Sequence, residues 1–205
     1  MSAIAERHPL AELPSSLRLS AIEPSHEDCE FVNGKYQEKV MGWESEWIVN
    51  RLVWLLMSYC EPRKLGWVNG SNASYQCFAH VLLDDPDRIR KPDVSFIDRD
   101  RMTRRTMPTG HCDLVPDLVV EVISPNDLYS EVDDKVSEYL LAGVRLVWVV
   151  NPQRKLIHVH RAEGADSTLR GSDELSGEDV VPGFSCSLND VFQWPEEAAA
   201  TSSSP

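Results

Sequence analysis

Apolar positions along the chain follow two spacings, one typical of helices and one typical of strands. In residues 43–59 they recur every three or four residues, which predicts an amphipathic helix that ends at Pro62. A second helix is predicted to begin at Asp127 or Ser130, since both residue types cap helices, and to run to about residue 141 before Gly143 ends it.

Shorter apolar runs predict the strands. Residues 118–123 are apolar on both faces apart from Glu121, which is the pattern of a central strand covered on both sides. Pro92 precedes the run 94–97, and a strand tolerates proline best at its start. The other predicted strands are residues 66–68, 77–83, 145–150 and 156–160. Strands and helices are interspersed, which indicates an α/β fold.

The length of 205 residues predicts a single domain, because no repeat and no interior linker divides the chain. Residues 1–26 are polar and contain three prolines, while residues 195–205 are small and charged. We expect the first segment to be a flexible N-terminal extension and the second a disordered tail. The domain is therefore predicted to span residues 27–194.

The composition, with 42% hydrophobic and 26% charged residues, is that of a globular protein. The N-terminus lacks a basic start followed by an apolar block, and no stretch approaches the roughly 20 apolar residues of a membrane span. The five cysteines are scattered and form no CxxC pair, which is typical of reduced thiols. A cytoplasmic protein with no membrane contact is expected.

Glu121 is the residue with the clearest chemical consequence. An ionised carboxylate inside an apolar strand costs several kcal/mol unless it is paired, protonated or bound to a metal. On the alternation of a strand, Glu121 shares its face with Val119 and Ile123, which supply no partner. The sequence leaves two interpretations, a structural ion pair with a distant cation or a metal ligand.

Asp93 and Lys135 favour the metal interpretation. Asp93 stands where the strand 94–97 begins, and two carboxylates from neighbouring strands make a site for Mg²⁺, which also takes water and phosphate oxygens. Lys135 falls at the edge of the apolar stripe of the second helix, and a lysine near paired carboxylates can act on the attacking water or on a phosphate. Each also has a simpler interpretation, Asp93 as part of a Pro-Asp turn and Lys135 as a surface lysine with a buried stem.

The strings around these residues resemble the Uma-two family of restriction-endonuclease-like proteins. They are RKPDVSFIDR, PDLVVEVISPND and DDKVSEYLLAGVRLVWVVNP, and the likeness covers about residues 30–192. The resemblance implies the PD-(D/E)XK nuclease fold, which is a mixed β-sheet flanked by helices with a metal held at one sheet edge.

Matched by position, Asp93 falls on the family's first carboxylate, Glu121 on its second, and Lys135 on a lysine that has moved from the strand to the next helix. The resemblance thus implies Asp93 and Glu121 as metal ligands and Lys135 as a catalytic residue. A further acidic residue at the start of the first helix often completes such sites, and Glu46, with Glu44 second, is the candidate.

Two other patterns carry less weight. Cys77, His80 and the pair His111-Cys112 form a weak pattern for a zinc site, because adjacent ligands seldom reach one tetrahedral ion. The run Arg99, Arg101, Arg104 and Arg105 is either a solvated loop or a phosphate-binding loop near Asp93.

Two functions follow from these observations. The first is a Mg²⁺-dependent endonuclease, with Mn²⁺ as a possible substitute, that hydrolyses phosphodiester bonds in DNA. The second is a catalytically inactive nuclease-fold module for binding or assembly. A homodimer is expected in either case. The net charge of −13 favours the second function, since it opposes a broad DNA-binding surface, although bound cations would reverse the sign locally.

Overall fold

The computed structural model describes residues 29–38, 40–125 and 127–195. Its centre is a six-stranded sheet in the order β3-β4-β5-β6-β7-β8. The strands are β3 (Gly66–Gly70), β4 (Val94–Asp98), β5 (Leu118–Val122), β6 (Leu146–Asn151), β7 (Leu156–Arg161) and β8 (Ser167–Arg170). Only the β5–β6 pair is parallel, so the sheet is mixed.

A long helix packs on each face of this sheet. Helix α1 (Trp43–Arg63) packs its buried residues against the face that carries Val120 and Trp148. Helix α2 (Tyr129–Ala142) is the crossover between the parallel strands β5 and β6, and it packs on the opposite face, against Val119 and Val147. Successive residues of β5 thus belong to different core clusters, as the predicted two-sided strand requires.

Smaller elements surround the sheet. The hairpin of β1 (Cys29–Val32) and β2 (Lys35–Glu38) joins the main body through a bridge from Phe31 to Ile89. At the other end of the chain, β9 (Glu174–Ser176) pairs with β10 (Ser185–Ser187), and the short helix α3 (Leu188–Val191) follows.

None of the helices in the described part of the chain has the length and apolar character that crossing a bilayer requires.

The predicted strand at residues 77–83 is wrong. The backbone N–H groups of Val81 and Leu82 both donate to the Phe78 carbonyl oxygen, at 3.0 and 2.9 Å, so the segment forms turns. The apolar residues are spaced three and four apart here, which suits one helical turn better than a strand. Phe78 is fully buried against the α2 side of the sheet.

The predicted helix ends also need correction. Helix α1 continues past Pro62 to Arg63, and Lys64, in a left-handed conformation at φ 54°, ends it. Helix α2 begins after Leu128 with no side-chain cap. The Asp127 side chain instead accepts a hydrogen bond from the N–H of Ser124, at 2.7 Å, and so closes the loop after β5. Gly143 ends α2 at φ 106°, as predicted.

The predicted extensions, residues 1–26 and 195–205, lie outside the described residues except for Pro195.

Candidate active site

Asp93 and Glu121 lie side by side where β4 and β5 meet. The Asp93 N–H donates to the Val120 carbonyl oxygen at 3.0 Å, and Asp93 Oδ2 accepts the N–H of Val122 at 2.6 Å. Asp93 therefore contacts the backbone on both sides of Glu121. Both carboxylates are buried, with exposed fractions of 0% and 5%.

Helix α2 supplies the polar partners of Glu121. The Tyr139 hydroxyl donates to Glu121 Oε1 at 2.8 Å, and Lys135 Nζ lies 3.7 Å from Glu121 Oε2. Lys135 and Tyr139 are four residues apart, which places them on one face of the helix. Burial, followed by the charge of the Glu121 carboxylate, holds the pKa of Tyr139 well above its usual value, so its hydroxyl stays a donor.

Glu30 is a third carboxylate of this group, which the sequence did not predict. It stands on β1, with a 3% exposed fraction. Its Oε1 accepts from Lys135 Nζ at 3.2 Å and from the Lys91 N–H at 3.0 Å, and its Oε2 accepts from Arg90 Nη1 at 2.9 Å. Lys135 thus lies between the carboxylates of Glu30 and Glu121.

The charged network continues outward from Glu30. Arg90 Nε bonds to Glu138 Oε2 at 2.7 Å, and Glu138 Oε1 also pairs with Arg88. Arg88 Nε contacts Asp85 Oδ2 at 2.6 Å. Burial alone would lower the pKa of Arg90, but its hydrogen bond to Glu138 and the Glu30 charge raise it. Arg90 therefore remains a permanent cation among these carboxylates.

A cavity of about 490 Å³ opens over this group. Its charged lining comes from both strands of the β1–β2 hairpin, the segment before β4, β5 and the loop after it, and α2. The charged residues are Glu30, Glu38, Arg88, Arg90, Glu121, Asp127, Glu131, Asp134, Lys135 and Glu138. Asp93 lies beneath it, in contact with Val122 of the lining. The arrangement is a cleft with recessed carboxylates and one lysine between two of them.

The donor set fits a hard divalent cation. Asp93 and Glu121 offer carboxylate oxygens from neighbouring strands, and Mg²⁺ binds through one or two carboxylates while it keeps several waters. Oxygens that already accept one hydrogen bond retain a second lone pair. Among the described residues, no group of three or more His, Cys, Asp and Glu side chains is gathered as a metal cage. Asp93 and Glu121 could therefore offer such an ion an open site of two carboxylates.

Comparison with known proteins identifies the family. The Uma2 family model, described as “Putative restriction endonuclease”, matches residues 13–189. The chain belongs to the Uma2 family. No curated protein matches the chain.

A solved structure shows the same fold. It is described as a “putative nuclease belonging to DUF820 from Anabaena variabilis ATCC 29413”, and it is 18% identical to this chain. The match covers 80% of this chain and 89% of that one, with a TM-score of 0.67. The predicted fold class, a restriction-endonuclease-like mixed sheet flanked by helices, is confirmed.

In this Uma2 protein, the structure brings together three of the four residues predicted for the site, Asp93, Glu121 and Lys135. Glu46 is not among them. Its Oε1 accepts from Asn50 on an exposed side of α1, and it does not line the cavity. At this end of α1 the inward residue is Ser45, whose hydroxyl donates to the Ile123 carbonyl oxygen at 3.1 Å. Glu44 is exposed as well.

The residues of the possible zinc pattern and of the basic run do not line this cavity. Cys77 and Cys112 are buried, whereas His80 and His111 are exposed, and His111 Nδ1 lies 2.7 Å from Ser74 Oγ. In the basic run, Arg101 is paired with Asp117 at 2.7 Å, and none of the four arginines lines the cavity.

The buried network predicts a strong dependence on Arg90. We expect Arg90→Met to lower the free energy of unfolding by about 3–5 kcal/mol, because Glu30 and Glu138 each lose a buried cation. Urea unfolding measures this loss. Arg99→Met is the matched control: its side chain is 59% exposed beside Asp100, and we expect a change within about 0.5 kcal/mol. Equal effects of the two substitutions would contradict the role of the network.

Proposed function

We propose that this Uma2 protein is a Mg²⁺-dependent endonuclease that hydrolyses phosphodiester bonds in DNA, with Mn²⁺ as a substitute ion. The observation that carries the proposal is the contact of Asp93 with the backbone on both sides of Glu121, beneath a cleft that also presents Lys135. Family membership supports a nucleic-acid substrate. Asp93 and Glu121 are proposed to hold the ion. A bound Mg²⁺ supplies Lewis-acid polarisation of a phosphate oxygen.

Each protein residue has a separate part in the proposed reaction. The Asp93 carboxylate is fixed by the Val122 N–H, and the Glu121 carboxylate by the Tyr139 hydroxyl, so neither needs to reorganise on binding. The Lys135 side chain is 17% exposed and lines the cleft. We assign it to orienting the attacking water or to neutralising charge that develops on the phosphate.

Glu30 acts as a positioning residue in this proposal. Its contact with Lys135 Nζ, at 3.2 Å, is shorter than the 3.7 Å contact from Glu121, so Glu30 fixes where the ammonium lies. Arg90 in turn fixes Glu30 from the other side. The lysine is thus held by the hairpin β1–β2 as well as by its own helix.

The net charge of −13 opposes tight binding to duplex DNA. Cations are nevertheless present in the cleft, where Lys135, Arg88 and Arg90 all form part of the lining. Their pairing with Glu30 and Glu138 leaves little unbalanced positive charge. We therefore expect weak, salt-sensitive binding to duplex DNA, which a bound metal ion strengthens.

Removing either proposed ligand should abolish cleavage. We expect Asp93→Asn and Glu121→Gln to reduce nicking of supercoiled plasmid DNA in Mg²⁺ at least about a hundredfold. The reason is that the metal ion that stabilises the negative charge developing in the transition state is no longer held. Both substitutions keep an acceptor for Val122 N–H or Tyr139 OH, so the fold should persist. Glu61→Gln, at an exposed position of α1, is the control. A wild type without nicking activity would favour the inactive binding or assembly module.

Lys135 should affect cleavage without affecting metal binding. We expect Lys135→Gln to lower the nicking rate about a hundredfold while the thermal midpoint still rises with Mg²⁺, since both carboxylates remain. Paired melting and nicking measurements on one preparation separate the two effects. Loss of the Mg²⁺ response together with activity would assign Lys135 a structural role only.

A further inference from the structure

A second cleft, of about 350 Å³, lies across the N-terminal part of α2 from the acidic cavity. Four residues line both spaces and form a shared wall: Ile123, Ser124, Asp127 and Val132. Helix α2 contributes Lys135 to the first space and Tyr129 and Asp133 to the second. An extended ligand that crosses the wall would therefore contact both clefts.

The register of the sheet gives the distance between them. Glu121 pairs with Val149 on β6, and Val149 pairs with His158 on β7. Neighbouring strands lie about 4.8 Å apart, so His158 stands about 10 Å from Glu121 in the same row across the sheet. This spacing brings the second cleft within reach of a neighbouring unit of the same polymer.

The side chains of the second cleft suit a nucleotide. Arg154, His158 and His160 line it together with the amides of Asn151 and Gln153. No hydrogen bond or ion pair holds the Arg154 guanidinium within the described residues. This leaves a planar cation available for a phosphate, which it can bind through two parallel hydrogen bonds.

The two histidines are held in fixed orientations. His158 Nδ1 lies 2.9 Å from Thr168 Oγ1, and His160 Nδ1 lies 2.8 Å from Asp166 Oδ2. Burial, then the neighbouring His160, lowers the pKa of His158, which favours its neutral form at pH 7. The Nε2 atoms are the ring positions left for a ligand in the described part of the chain.

Tyr129 completes the cleft with an aromatic surface. It is the first residue of α2, and its exposed fraction is 79%, so core packing does not explain a tyrosine here. Tyr129 lines the cleft that also contains Arg154. An exposed aromatic ring beside a cation is the combination that binds unpaired nucleotides, by base stacking and by phosphate contact.

We infer that the second cleft binds an unpaired nucleotide that adjoins the cleaved bond, with its base stacked on Tyr129 and its phosphate on Arg154. The inference rests on the proposed function and specifies its substrate. Stacking on Tyr129 requires a base outside the double helix, so the substrate is single-stranded or locally opened DNA. This substrate suits a chain with a charge of −13, since base stacking supplies part of the binding energy that a duplex-binding surface draws from phosphate contacts.

The test measures binding of a fluorescent oligothymidylate of six nucleotides by anisotropy, in EDTA so that no cleavage occurs. The full-length wild type is compared with Tyr129→Ala and Arg154→Gln. We expect each substitution to weaken hexanucleotide binding about fivefold or more. Tyr129→Phe keeps the ring and should bind as the wild type does. Lys155→Asn removes the adjacent exposed cation outside the cleft and is the matched control.

The outcomes separate this inference from the proposed function. If Tyr129→Ala and Arg154→Gln both bind the hexanucleotide with wild-type affinity, the second cleft does not bind the nucleotide and the inference is overturned. The proposed function stands in that case if plasmid nicking still depends on Glu121. An equal loss in Lys155→Asn would also overturn the inference, because general charge would then explain the binding. Absence of both oligonucleotide binding and nicking in the wild type would overturn the inference together with the proposed function.

Discussion

The buried Glu121 carboxylate is the constraint on which the rest of the site depends. It occupies a central strand whose other residues are fully or almost fully buried, so it needs polar partners inside the protein. The Tyr139 hydroxyl and the Lys135 ammonium meet this need from α2, and Asp93 lies beside its backbone. The crossover helix is therefore tied to the central strand by polar contacts as well as by apolar packing.

The hairpin β1–β2 extends this arrangement to a part of the chain distant in sequence. Glu30 reaches Lys135 and Arg90, and Arg90 reaches Glu138. A buried network of this kind contributes less to stability than its number of contacts suggests, because every charge is desolvated. What it fixes is the position of the lysine relative to two carboxylates. In the proposed reaction, this position allows the ammonium to act on the attacking water or on the phosphate.

The sequence predicted the central features because their signals are local. Residues 118–123 show the pattern of a strand with one carboxylate. The helical spacing of the apolar residues in α2 places Lys135 at the edge of the apolar face of that helix. Glu30 was missed, although Asn33-Gly34 between short alternating runs is a hairpin signal. Its role depends on Arg90 and Lys135, 60 and 105 residues away, and no local pattern reports such pairs. Glu46 was selected by its position at a helix start, which leaves the direction of its side chain undetermined.

The most direct measurement is the thermal midpoint of the full chain, titrated with Mg²⁺ and with Mn²⁺ from a metal-free buffer. We predict that the midpoint of the wild type rises with either ion, corresponding to about 2.7 kcal/mol at one hundred times the dissociation constant, and that Asp93→Asn shows no such rise. Glu61→Gln should respond as the wild type does. A wild type without a metal response, or an equal rise in Asp93→Asn, would contradict a metal site formed by Asp93 and Glu121.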